Sequence, residues 1–361
     1  MTGMIIVLTV SIIFSLAAVA MVLKLSHKKA WYDHINERKI HSGDIPRLGG
    51  IGFALAFIVI AALIGLITRK LDANLRFLPC LAALLITLIS GVWDDFRPMV
   101  PRHKLWIQFL AALCVIIPGY IFRRITYIES GFLSGLGWLG YPITFLWIVG
   151  LINAINFIDG VDGLAGGLSA LITLFFGLIF FSYSRTSSAA LFCASLLGVM
   201  LGFLAFNMPI PKAKIFMGDG GSQFLGCSLA LLPLLKDHNS HAALPVPYAA
   251  ALLAIPIFDT IAAVWRRVRD GRKIASPDKA HVHHKLINLG LSVWEVDAVL
   301  YSLQILLGIL TFIAVRLEGW PSLYVLGAAY AVAIIFFGAV HFLNRKVMAK
   351  IREGQPGAHT E

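Results

Sequence analysis

The chain has 361 residues, 58% of them hydrophobic and 14% charged, with a mean hydropathy of +0.83 and a formal net charge of +11 at pH 7. That balance excludes an ordinary soluble domain, which carries roughly a quarter of its residues as charges. No polar stretch is long enough to fold by itself, so residues 1–343 read as one transmembrane unit followed by a basic, mobile tail at 344–361.

A hydrocarbon core of about 30 Å needs roughly 20 apolar residues per helix. In chain order, apolar runs at 4–25, 48–68, 74–92, 104–122, 139–155, 164–182, 188–206, 221–235, 244–265, 293–315 and 320–343 predict an all-α polytopic protein with about eleven transmembrane helices. The run at 221–235 is short and Pro142 interrupts the fifth, so ten or twelve are the alternatives. No basic residue precedes the first run, while Lys24, Lys28 and Lys29 follow it, which is the order of an uncleaved helix with an extracytoplasmic N-terminus. Cys80, Cys114, Cys193 and Cys227 lie inside apolar runs without CxxC spacing and read as packing residues.

With eleven helices, the odd-numbered loops and the C-terminal tail hold 21 Lys and Arg and the even-numbered loops hold 8. The positive-inside rule therefore puts the odd loops and the C-terminus in the cytoplasm. Topology absorbs the positive charge and no nucleic acid is needed to explain it; the same charge also suits anionic lipid or a nucleotide diphosphate. Residues 123–137 read as a short extracytoplasmic hairpin.

Carboxylates are costly near hydrocarbon, so clusters at helix ends are candidate sites. Five occur, HINERKIHSGDIPRLGG (34–50), WDDF (93–96), NAINFIDGVDGLAGG (153–167), FMGDGGSQFLG (216–226) and SPDKAHVHHKL (276–286), all on odd loops, so one topology gathers them on one face. Adjacent Asp94 and Asp95 repel unless a cation or a shared proton relieves them, which suits divalent metal or general-base work; a solvated helix end paired with Arg97 is the structural alternative. Asn153, Asn156, Asp159 and Asp162 recur every third residue and share a face if helical, and their oxygens suit magnesium; a capped interhelical turn would use the same residues.

Asp219 sits in a glycine loop before an apolar helix, where backbone amides receive phosphate or the carboxylate simply caps the helix. His281, His283, His284 and Lys285 have no cysteine nearby, so phosphate binding or proton shuttling fits better than zinc, with a plain surface loop as the alternative. Arg38, Lys39, His41 and Arg47 contact phosphates or set topology, and Asp259 lines a polar cavity or pairs with a neighbouring base.

In this order and at roughly this spacing, NERKIH...PRLGG, WDD, NAINFIDGVDGLAGG, FMGDGGS and PDKAHVHHKL resemble the polyprenyl-phosphate N-acetylhexosamine-1-phosphate transferases, glycosyltransferase family 4, over residues 31–290. Within that superfamily the chain looks like the bacterial undecaprenyl-phosphate GlcNAc-1-phosphate branch. HVHHKL departs from the three consecutive histidines of the phospho-MurNAc-pentapeptide translocases. The resemblance implies transfer of GlcNAc-1-phosphate from UDP-GlcNAc to undecaprenyl phosphate, with UMP released, at the cytoplasmic face of a bacterial inner membrane. It implies magnesium, with manganese as a substitute, and a homodimer. The product would start an O-antigen, common-antigen or teichoic-acid linkage, and UDP-GalNAc or UDP-MurNAc-pentapeptide would serve the same chemistry.

By matched position the resemblance makes Asp219 a direct magnesium ligand and Asn156 the second. Asp94 deprotonates or orients the lipid phosphate and Asp95 supports it. Asp159 and Asp162 shape the nucleotide pocket, Phe216 stacks on uracil, and His281, His283 and His284 contact the diphosphate or sugar phosphate. Asn153, Arg38, Lys39, His41 and Lys285 complete the substrate-binding set. Direct attack by the lipid phosphate is preferred over an aspartyl intermediate. A secondary transporter of an anionic solute is the reading from another class, but its site belongs near the midplane between repeated halves, and the sequence shows no repeat.

Overall fold

The computed structural model describes residues 2–32, 45–68, 78–125, 135–184, 187–208, 210, 212–235, 244–276, 278 and 280–353. Arg38, Lys39 and His41, much of the 123–137 segment and the end of the tail lie outside the described residues. Among the described residues the chain is all-helical: α1 (Thr2–Lys29), α2 (Gly49–Thr68), α3 (Leu78–Phe96), α4 (Pro101–Ile116), α5 (Gly140–Ile158), α6 (Leu164–Tyr183), α7 (Ser188–Asn207), α8 (Gly218–Leu231), α9 (Val246–Leu252), α10 (Ala254–Arg269), α11 (Val282–Asn288), α12 (Val293–Arg316) and α13 (Trp320–Glu353). A single antiparallel bridge joins Tyr32 and Pro46.

Each predicted apolar run holds a helix. Among the described residues seven helices are long and apolar enough to cross a bilayer, or eight if the bent pair α9 and α10 is one span. The chain is thus a multi-pass membrane protein by composition and helix length. α4 and α8, with 16 and 14 residues, fall short of the roughly 20 that a perpendicular span needs.

The ninth run, expected as one helix, is bent by 90° between α9 and α10. Pro256 explains the break: it has no N–H for the carbonyl four residues back, and its ring crowds that carbonyl. The orphaned oxygen belongs to Leu252, and Gln304 of α12 donates to it at 2.9 Å. A buried glutamine thus satisfies the acceptor that the proline releases. The tail also differs from expectation, because α13 runs on to Glu353. Its 34 residues span about 51 Å, well beyond the hydrocarbon. Asn288 Nδ2 donates to Asn344 Oδ1 at 3.2 Å, joining that extension to α11.

α8 is the centre of the bundle, with every residue from Gly220 to Leu231 buried. Helices in lipid associate by close packing of small residues, and α8 meets three neighbours this way. Gly50 of α2 lies on Gly221, Gly91 of α3 on the Asp219–Gly220 backbone, and Gly226 of α8 on Leu151 and Ile152 of α5. α7 and α1 repeat the device: Gly198 and Gly202 face Ser11 and Ser15, whose hydroxyl donates to Val199 O at 2.7 Å.

A Cβ at Gly50 would overlap the Gly221 backbone and stand 2.7 Å from Met217 O. Gly50→Ala is therefore expected to push α2 off α8 and cost about 1–3 kcal/mol. A lower Tm in detergent, with reduced turnover, checks it; an unchanged Tm would show that the two helices separate freely.

Candidate active site

The acidic ends of α3, α5 and α8 meet at one end of the bundle. Asp94 and Asp95 occupy the last turn of α3, inside the helix rather than after it, and both are buried. Asp219 lies in the first turn of α8, which begins at Gly218. Gly218 has φ +72°, and a Cβ there would stand 2.8 Å from Asp95 Oδ2, so this position requires glycine.

Asp95 receives the start of α8: Oδ1 accepts from Asp219 N–H at 2.9 Å and Oδ2 from Gly220 N–H at 3.0 Å. A carboxylate from another helix thus satisfies two orphan amides at a positive dipole end. The backbone of the PRLGG segment flanks the same loop. Phe216 N–H donates to Pro46 O at 2.8 Å, Gly49 N–H to Phe216 O and Gly50 N–H to Met217 O, both at 2.9 Å, and Arg47 Nε lies 3.9 Å from Asp95 Oδ1.

Asp219 keeps 34% of its side chain accessible, against 5% for Asp95, and is the carboxylate that opens outward. Asn156 Nδ2 donates to Asp219 Oδ1 and to Ser222 Oγ, both at 2.8 Å. Lys104 Nζ pairs with Asp94 and lies 3.3 Å from Asp219 Oδ2, so one ammonium bridges two helices' carboxylates. Met99 N–H donates to Asp94 Oδ1 at 2.6 Å.

Asn153 and Asn156 sit on α5, whereas Asp159 and Asp162 follow its end in a turn. The four therefore do not share one helical face. Asn153 pairs with Gln108, donating at 2.7 Å, which ties α5 to the helix that carries Lys104. Burial, with Asp219, Asp95 and Asp162 nearby, holds the Asp159 carboxyl well above its usual range. The far end of the turn is clamped at Gly163, whose N–H donates to Asn207 Oδ1 at 3.0 Å and whose carbonyl accepts from Tyr301 Oη at 2.6 Å.

The histidine segment docks beside this turn. Asp259 Oδ2 holds His281 Nδ1 at 2.6 Å, and its Oδ1 accepts from Val282 N–H at 2.8 Å. The base that Asp259 meets is thus His281. His281 lies 5.6 Å, ring to ring, from Phe157, which also carries the Arg267 guanidinium at 5.3 Å. Arg266 forms an ion pair with Asp278 at 2.7 Å, and Arg267 donates to Ile274 O at 2.8 Å, shaping the approach to α11. His283 is fully buried, and that burial, with His284 beside it, pushes its imidazole down to about 3. Lys285 is also buried, and desolvation with Arg266 nearby pushes its ammonium down. His284 is half-buried.

Sequence reasoning passed over Lys104 and Gln108, and it offered a neighbouring base for Asp259 without naming His281. For Lys104 a signal existed. Arg102, His103 and Lys104 fill the first turn of α4, where the helix dipole disfavours cations. Such a breach of a local rule marks a site whose gain lies elsewhere in the fold.

A furrow of about 500 Å³ is lined by Ile51 of α2 and by Leu88, Ile89, Val92, Trp93, Phe96 and Arg97 along and just after α3, and neither Asp94 nor Asp95 lines it.

A protein of Bacillus subtilis named probable undecaprenyl-phosphate N-acetylglucosaminyl 1-phosphate transferase is 32% identical over 333 residues, covering 90% of this chain and 89% of the relative. The chain belongs to glycosyl transferase family 4. The family's own model matches residues 77–236, which include the WDD, NAINFIDGVDG and FMGDGGS segments. An undecaprenyl-phosphate alpha-N-acetylglucosaminyl 1-phosphate transferase of Yersinia pestis is 30% identical over 334 residues, 90% of this chain and 88% of that one. A protein of the same name from Escherichia coli K12 is 28% identical over 273 residues, 74% and 72% of the two chains. Membership of family 4 makes the chain a glycosyltransferase acting in a membrane.

Proposed function

We propose that this chain transfers GlcNAc-1-phosphate from UDP-GlcNAc to undecaprenyl phosphate, the first step of a cell-surface polysaccharide. The relatives' names support the donor and acceptor. The observation that carries the reading is the Asp219 cluster, an outward carboxylate on a helix N-terminus, oriented by Asn156 and bridged through Lys104 to Asp94. We place it in the cytoplasm by the charge of the odd loops, within an eleven-span catalytic domain whose N-terminus is extracytoplasmic.

In the direct route an oxygen of the lipid phosphate attacks the sugar-bearing phosphorus of UDP-GlcNAc. The bond from that phosphorus to the bridging oxygen breaks, and UMP leaves with that oxygen. Asp94 orients the lipid phosphate, and Lys104 offsets the meeting of two polyanions. His281, held in one orientation by Asp259, and His284 receive the diphosphate, and Phe216 and the Asp159–Asp162 turn receive the nucleoside.

Among the described residues no three His, Cys, Asp or Glu side chains form a ready metal cage. Magnesium does not require one, since it keeps waters and binds through one or two carboxylates plus substrate phosphates. The donors fit: Asp219 and Asp94 offer hard oxygens where a cation, the Lys104 ammonium, already bridges them. Asp219 would hold the ion and Asn156 would add its carbonyl oxygen; when bound, magnesium supplies charge neutralisation of the diphosphate.

Purified protein with both substrates is expected to release UMP only when the lipid is present. Excess EDTA should reduce release at least about 100-fold, with magnesium or manganese restoring it. Undiminished release in EDTA would remove the metal. If no UDP-sugar yields UMP in a folded preparation, transport of an anionic solute becomes the reading. Against transport, Asp94, Asp95, Asp159 and Asp219 all lie at helix ends rather than mid-span.

A further inference from the structure

We infer that His283 is a positioning residue that wedges α11 against Gly160 and so sets the Asp159–Asp162 turn, leaving His281 and His284 to face the substrate. The inference rests on the transferase reading for its kinetic readout, though not for its stability readout.

His283 is 1% exposed, and among the described residues neither ring nitrogen has a hydrogen-bond partner. A general acid or base must reach the atom it serves within hydrogen-bond distance, directly or through one water. This ring meets protein instead. A Cβ on Gly160 would overlap His283 Nε2 and stand 2.6 Å from Cε1 and 3.2 Å from Cδ2. The Gly160 backbone is not in the left-handed region, so contact alone opposes a side chain there.

The His284 ring lies 4.3 Å from it between centroids, and the His281 ring runs nearly parallel at 5.9 Å. α11 is held in turn by Asp259 at Val282 N–H and by Asn344 at Asn288. The turn bearing Asp159 and Asp162 is therefore fixed at both ends, at Gly163 by Asn207 and Tyr301 and at Gly160 by the His283 ring. Neighbouring histidines thus have different tasks: the His281 ring is oriented by a carboxylate, while His283 fills space.

A double-mutant cycle on the full chain in detergent tests this, read by UMP release and by Tm. Gly160→Ala should lower turnover tenfold or more and raise the KM for UDP-GlcNAc, leaving that for undecaprenyl phosphate within twofold. Gly160→Ala/His283→Ala should be more active and more stable than Gly160→Ala, because the missing ring makes room. His283→Gln should keep kcat within threefold and leave its pH profile unmoved. A proton-transferring His283 would instead lose about 10²–10⁴-fold as Gln, and the double variant would be no better than the worse single one; either result overturns the inference. If wild-type protein releases no UMP, the reaction reading fails separately and the Tm cycle decides, with strictly additive losses counting against the wedge. A Gly160→Ala chain that fails to fold while the double variant folds supports it, and if neither folds, His283→Gln decides.

Discussion

Asp219→Asn is expected to lower UMP release about 1,000-fold while leaving Tm unchanged, the range found when one preorganised electrostatic group is removed from an active site. The amide keeps the shape of the carboxylate and the reach of its Asn156 contact, so the start of α8 is not disturbed. What disappears is one negative charge at the point where Lys104 and a metal ion must be balanced. Lys104 is then left with Asp94 as its remaining carboxylate contact among the described ion pairs. The loss should appear in kcat, and the magnesium concentration for half-maximal activity should rise. A variant within tenfold of wild type at ordinary magnesium would show that Asp219 is not the metal ligand.

Asp95→Ala should fail in another way, losing stability as well as turnover. Its carboxylate is 5% exposed and accepts both Asp219 N–H and Gly220 N–H, so truncation strands two buried donors at a dipole end. Hydrogen bonds to a charged group contribute about 1.5–3 kcal/mol each, which predicts a loss of at least about 3 kcal/mol. Asp95→Asn should recover part of it, because one amide regains an acceptor. Thermal unfolding in detergent beside UMP release separates the cases: normal stability in Asp95→Ala with lost turnover would make Asp95 a direct participant rather than the anchor of α8.

The two aspartates of one motif thus have different duties, and only their surroundings distinguish them. Asp94 faces Lys104 and Met99 N–H, while Asp95 faces the backbone of a helix more than 120 residues further along the chain. The motif itself, two adjacent acids at the end of an apolar run, contains nothing to tell them apart. The same holds for HVHHKL. Three histidines read as one phosphate-binding group, whereas burial divides them into an oriented ring, a wedge and a half-buried ring.

By itself the sequence determined the all-helical membrane class, the places of the helices and which acidic and histidine segments the fold brings together. Apolar run length and charge placement are local quantities, legible along a chain. Tertiary structure alone decided that α8 is central, that α9 and α10 break at Leu253, ahead of Pro256, with Gln304 repairing the loss, and that Lys104 bridges Asp94 and Asp219. In lipid both the outer and the inner face of a helix are apolar, so hydrophobic periodicity carries little information about which side meets a neighbour. The pairings that build the site join residues far apart in the chain, Asp95 to Gly220 and Pro46 to Phe216 among them. They depend on glycines letting particular backbones approach, which no single segment specifies.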